Sequence, residues 1–219
     1  MNFHHWIELF TQEMNETTPW QWVAFFLGIG EVLLAKVNNI WLYPIGIAGT
    51  FIGIYYLLDV HLYADSILNG YYVVMSFYGW YYWVKKRHLP PVKITWATPK
   101  EWVTVVTIIV VSFALFYILI GTQLLHFLLG KYAPPQSNVP VWDSWVSATA
   151  WAGMWLLARR KMENWILLNL SNLFAIPLLF YKKLPLFGFE VFILFVVAFF
   201  GFFQWLRIWK AENKSMAIS

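Results

Sequence analysis

The sequence predicts an all-α membrane protein whose seven transmembrane helices form two parallel three-helix bundles joined by a linker helix. Three observations predict it: seven apolar runs of spanning length, basic residues confined to one side, and an internal repeat. Hydrophobic residues make up 60% of the chain, aromatic ones 21% and charged ones 12%, more apolar surface than a water-soluble domain of 219 residues buries. The runs cover residues 20–35, 40–58, 62–84, 103–121, 141–158, 164–181 and 186–208, close to the roughly 20 residues that carry a helix across hydrocarbon. Together they make one membrane domain.

Residues 1–19 have no basic start and no cleavage site, so they read as part of the protein rather than as a signal peptide. Trp6, Ile7, Phe10 and Met14 fit one helical stripe, which suits a short helix lying on the outer membrane surface. Residues 20–84 then supply the first bundle, 101–121 the linker helix, 141–208 the second bundle and 209–219 a cytoplasmic tail.

Seven spans divide the 15 basic residues 12 to 3. One side receives Lys36, Lys85, Lys86, Arg87, Lys93, Lys100, Arg159, Arg160, Lys161, Arg207, Lys210 and Lys214, and the other Lys131, Lys182 and Lys183. Basic loops stay cytoplasmic, so the N-terminus is expected outside and the C-terminus inside. The sequence pI near 9.2 then reflects topology and not nucleic-acid binding. With no cysteine, disulfides, thiolate metal sites and thiol nucleophiles are excluded.

The repeat pairs YGWYYW (Tyr78–Trp83) with FGFFQW (Phe200–Trp205) at an offset of 122, and AKVNNIW (Ala35–Trp41) with RRKMENW (Arg159–Trp165) at 124. Three helices, one linker and three helices give both triplets the same orientation, related by an axis along the membrane normal, as in some transporters. A substrate would sit between them.

VWDS (Val141–Ser144), RRKMENW, IPLLFYKKL (Ile176–Leu184), LYAD (Leu62–Asp65) and YGWYYW together resemble the PnuC family of vitamin transporters over essentially the whole chain. The resemblance implies a SWEET-like fold, a homotrimer, a bacterial inner-membrane location and uptake of nicotinamide riboside. It also implies facilitated diffusion made one-way by cytosolic phosphorylation, feeding NAD biosynthesis, with no cofactor. Family members often carry a second Trp three residues after the one matched by Trp165, and this chain has Leu168 there. Related branches carry thiamine or riboflavin.

In MENWILLNLSN, Trp165, Asn169 and Asn172 fall on one helical face. Amides in hydrocarbon need a partner, so this stripe must face protein or a cavity. At offset 124 the first triplet offers Trp41, Ile45 and Ala48, which makes the polar face one-sided. Asn between helices also serves as hydrogen-bonding glue. A vitamin with a flat cationic ring, a carboxamide and hydroxyls would meet aromatic faces and primary amides, and thiamine satisfies the same chemistry. The expected substrate-binding residues are therefore Trp165, Asn169 and Asn172, with Trp41, Tyr72, Trp80 and Trp151 as aromatic walls and Asn69 and Gln204 as further polar groups.

Among the acids, Asp59, Asp65, Asp143 and Glu190 are expected near the outer edge and Glu101, Glu163 and Glu212 near the inner one. Glu31 alone is left within a span, where it attracts a cation, relays a proton or pairs with a basic residue at the interface. Without a cluster of buried acids, ion coupling has little support. Pro44, Pro177 and Gly53 are the expected hinges. The histidines, at 4, 5, 61, 88 and 126, make no HExxH pair, no Ser–His set is apparent, and residues 189–206 hold no retinal-type lysine. The chain reads as a transporter and not an enzyme, its partners being a small vitamin, the lipid bilayer and further copies of itself, with no metal. A seven-helix ligand-sensing or scaffold protein is the alternative from another class.

Overall fold

The computed structural model describes residues 3–59, 63–85, 93–122, 124, 127, 130 and 137–216. His61, Leu62, Lys86, Arg87, His88, His126 and Lys131, and the side chains of Asp59, Asp65 and Lys85, lie outside that description. Eight α-helices run through the described residues: α1 Phe3–Glu16, α2 Pro19–Lys36, α3 Leu42–Asp59, α4 Tyr63–Lys85, α5 Pro99–Gly121, α6 Pro140–Ala158, α7 Asn164–Tyr181 and α8 Pro185–Met216. The seven long ones coincide with the seven apolar runs. Helix α8 continues well beyond residue 208, into the expected tail.

By length and composition α5, α7 and Pro185–Lys214 of α8 are apolar enough to cross a membrane, and α1 with α2 passes as a bent pair. Helix α3 is apolar over Leu42–Leu58 but short, while α4 carries Tyr, Trp, Ser and Gly and α6 carries Trp, Ser and Gly, residues that membrane helices use at interfaces and contacts.

Local chemistry sets the helix ends. Proline opens α2, α5, α6 and α8, where its missing N–H costs nothing. Thr18 and Thr98 each close a capping box, with Gln21 and Glu101. The Thr18 cap also turns the chain by 107° between α1 and α2. Helices α2, α6 and α7 end in Schellman turns with Asn38, Arg160 and Lys183 in the left-handed region at φ 57°, 55° and 60°. Asn39 N–H bonds Leu34 O at 2.9 Å, and Lys161 N–H bonds Leu156 O at 2.9 Å. Asn38 and Arg160 are 122 residues apart, so the repeat extends to the caps.

Helix α1 docks on the ends of α7 and α8 through Trp6 against Phe180, Phe10 against Phe189, and the Glu13 carboxylate accepting Leu186 N–H at 2.7 Å. Burial pushes the Glu13 carboxyl above its usual range, while the N–H groups of Leu186 and Phe187 pull it back.

The other helices close a ring in which α2 packs on α3, α3 on α4, α4 on α6, α6 on α7, α7 on α8 and α8 on α2. Helix α5 lies outside, against α6. Its leading segment is pinned to the α6–α7 turn: Met162 N–H donates to Thr95 O at 2.9 Å, Ala97 N–H to the Glu163 carboxylate at 2.9 Å, and Lys161 pairs with Glu101 at 2.9 Å. Lys36, Arg159, Arg160 and Lys161 therefore gather at one end of the ring. Lys182 lies at the other, paired with Asp143 at 2.5 Å.

Candidate substrate-binding site

A cavity of about 200 Å³ opens at the centre of the ring, lined from α2, α3, α4, α6, α7 and α8 but not from α5. Its walls follow the repeat at a single offset of 122: Val32 with Met154, Ala35 with Leu157, Thr50 with Asn172, and Tyr72 with Leu194. The register expected from Trp41 and Trp165 is thus two residues out. Tyr43 is the counterpart of Trp165: each ring occupies the space a Cβ would need, at Gly79 for Tyr43 and at Gly201 for Trp165.

Glu31 departs from that symmetry. Its carboxylate fills the space over Gly46 on α3, while in the other triplet Leu168 fills the space over Gly153. Residues 31 and 153, and 46 and 168, are the same repeat positions, so large and small have exchanged sides. A charge lines one wall and an aliphatic side chain the other. Thr50, opposite Asn172, also makes the first triplet more polar here than Ala48 would have.

Four polar groups at this cavity have no protein partner among the described residues: the Glu31 carboxylate, the Tyr72 hydroxyl, the Asn172 amide and the buried Trp165 indole N–H. A buried polar group is nearly always paired, so the Trp165 indole N–H, with the half-buried Glu31, Tyr72 and Asn172 on the same cavity, marks a place for a polar ligand. Trp165 is 1% exposed and stands edge-to-face on Trp205, centroids 5.5 Å apart, which fixes its ring. Among the described residues Glu31 makes no ion pair.

The other expected residues lie elsewhere. Asn169 faces α8, where its amide, oriented to match both groups, donates to Phe195 O at 3.1 Å and accepts from Phe199 N–H at 3.2 Å. It serves as glue between helices. Trp41 is 62% and Trp80 36% exposed, and neither lines the cavity. Trp151 stacks on Tyr71 with centroids 3.9 Å apart and meets Phe116 of α5 edge-on, joining α4, α5 and α6. Asn69 and Gln204 are half-buried and outside the lining.

Pro44 sits in the first turn of α3, where no intrahelical bond is lost, so it is no hinge. Pro177 is inside α7, but at the offset of 122 its repeat counterpart is Tyr55 rather than Gly53. Glu190 does not stay at the edge: its Oε1 would lie 3.4 Å from a Cβ at Gly28 of α2, which makes it a second carboxylate between α2 and α8. The glycine opposite leaves room for it, a pairing that no sequence periodicity marks.

A family model described as nicotinamide mononucleotide transporter matches residues 18–207. The chain belongs to that family. It is a multi-pass membrane transporter and not an enzyme. It is similar to the nicotinamide riboside transporter PnuC of Escherichia coli (strain K12), 24% identical over 212 residues that cover 90% of this chain and 87% of that one. The Shigella flexneri protein of the same name gives the same figures. The solved crystal structure of the vitamin B3 transporter PnuC superposes with a TM-score of 0.66 at 21% identity, over 94% of this chain and 90% of the other, which establishes the shared fold.

Proposed function

We propose that this transporter carries nicotinamide riboside, bound in the central cavity. The observation that carries the reading is the Glu31 carboxylate, without a partner among the described residues, facing the same cavity as Asn172 and Trp165. The cationic pyridinium ring suits a carboxylate and the faces of Trp165 and Tyr72. The carboxamide suits Asn172, which donates and accepts, and the ribose hydroxyls suit Thr50 and Tyr72. The family description points to the mononucleotide, but the described lining residues include a carboxylate and no Lys, Arg or His. A phosphate there would be repelled and unpaired, which favours the riboside. The small volume, below the roughly 300–1,000 Å³ usual for ligand pockets, also favours a compact nucleoside.

The same reading takes residues 20–84 and 141–208 as two parallel three-helix bundles joined by the linker helix at 101–121, the SWEET-like arrangement, with 1–19 outside and the tail at 209–219 cytoplasmic. The single offset of 122 in the cavity walls and the position of α5 outside the ring support it. Transport is facilitated diffusion, because Glu31 stands as one carboxylate in the lining, and cytosolic phosphorylation traps the product by adding the charge this cavity rejects. The protein sits in the bacterial inner membrane as a homotrimer, each protomer holding a complete site.

Calorimetric titration of the purified protein with nicotinamide riboside, nicotinamide mononucleotide and thiamine tests the substrate. Tight binding of the riboside alone is expected. Preference for the mononucleotide would overturn the charge argument, and preference for thiamine would move the substrate to another vitamin.

A further inference from the structure

The repeated motif ends in a tryptophan that the transport reading leaves unused. Trp83 of α4 donates its indole N–H to Ala158 O at the end of α6, at 3.1 Å, and Trp205 of α8 donates to Ala35 O near the end of α2, at 2.8 Å. Trp83 and Trp205 are 122 residues apart, and each bond crosses from the third helix of one triplet to the first helix of the other. Both indoles are buried, 6% and 0% exposed. Ala35 and Leu157, which form the cavity wall on this side, lie within one residue of the two acceptors. The bonds therefore stand directly between the cavity and the basic end of the ring, where Arg160 covers Trp83 at 3.7 Å from the ring centroid.

The two arms differ in what touches them. Trp83 stands edge-to-face on Tyr43, centroids 5.1 Å apart, and Trp205 on Trp165 at 5.5 Å. Trp165 lines the cavity and Tyr43 does not. A ligand that shifts Trp165 thus presses on the Trp205 arm alone.

We propose that Trp83 and Trp205 form a paired latch that shuts the cavity toward the basic face, and that Trp165 couples cavity occupancy to its Trp205 arm. Opening on that face separates the α4–α6 and α8–α2 contacts and breaks both bonds. Trp205 is a positioning residue: it acts through Trp165 and does not touch the cavity itself. The latch goes beyond the substrate assignment and stands whichever vitamin is carried.

The chain has no cysteine, so Met154→Cys places a single reporter thiol in the cavity wall. Its labelling by a membrane-impermeant maleimide is measured from each face, in vesicles of both orientations, for Trp83→Phe, Trp205→Phe and the double variant. Phenylalanine keeps an aromatic ring and removes the N–H. Losing one hydrogen bond of ordinary strength should speed labelling from the basic face about fivefold, and the double variant should exceed either single one. Labelling from the opposite face should not rise. Where phenylalanine impairs folding, benzothienylalanine at the same positions keeps the shape of the indole and still lacks the donor. Unchanged labelling from the basic face in folded double variant, or faster labelling from the opposite face, would overturn the latch. The readout uses no vitamin, so its failure is distinct from failure of the substrate assignment.

Discussion

Replacing Glu31 by glutamine removes the charge at the cavity and keeps the shape that fills the space over Gly46. Two opposite unit charges about 4 Å apart attract by about 4 kcal/mol where the effective dielectric is near 20. The glutamine dipole recovers part of that, and the carboxylate's own dehydration is relieved, so about 2 kcal/mol of affinity should be lost, or roughly thirtyfold. The charge contribution separates from shape by comparing nicotinamide riboside with its dihydro form, which has the same outline and no positive charge. Calorimetry should find that the parent protein prefers the cation and that Glu31→Gln binds the two alike. The melting temperature should hold or rise, because the substitution removes a half-buried carboxylate that has no partner among the described residues. Undiminished preference for the cation in Glu31→Gln would refute the assignment of Glu31 as its counter-charge.

Three other outcomes follow from the same geometry. Asn169→Leu breaks the bonds to the α8 backbone, so the melting temperature should fall by several degrees with riboside affinity nearly unchanged; a loss of affinity in stable protein would return Asn169 to the site. Proteoliposomes should fill with riboside to the external concentration and stop, and accumulation driven by a proton or sodium gradient would contradict facilitated diffusion. A reporter active only in the cytoplasm, fused at the C-terminus, should be active, and a silent fusion in well-expressed protein would reverse the orientation.

The seven long helices were legible because their apolar length is what a bilayer requires, and their caps because Pro, Thr and Gln or Glu stand in the order a helix start demands. The cavity was legible in part. Trp165, Asn172, Tyr72 and Glu31 stand out in the sequence, each a polar or aromatic group in an apolar run. Thr50 and Tyr43 do not stand out in the sequence, because the Trp41–Trp165 match puts the second helix two residues out of register. The motif YGWYYW against FGFFQW already carried the spacing of 122 that the cavity walls obey. Asn169 shares a helical face with Asn172, yet a face broad enough to meet both cavity and neighbour divides between them, and only packing says where. Glu190 was placed by its distance from the helix end, whereas the gap over Gly28 draws it against α2.

The measurement closest to the central claim, that the cavity within the ring is the substrate site, is riboside affinity and melting temperature on one purified sample of Asn172→Leu. The amide has no partner among the described protein groups, so its removal should leave the melting temperature near that of the parent while affinity falls by about 1.5–3 kcal/mol, tenfold to over a hundredfold. Parental affinity in stable Asn172→Leu would contradict the claim.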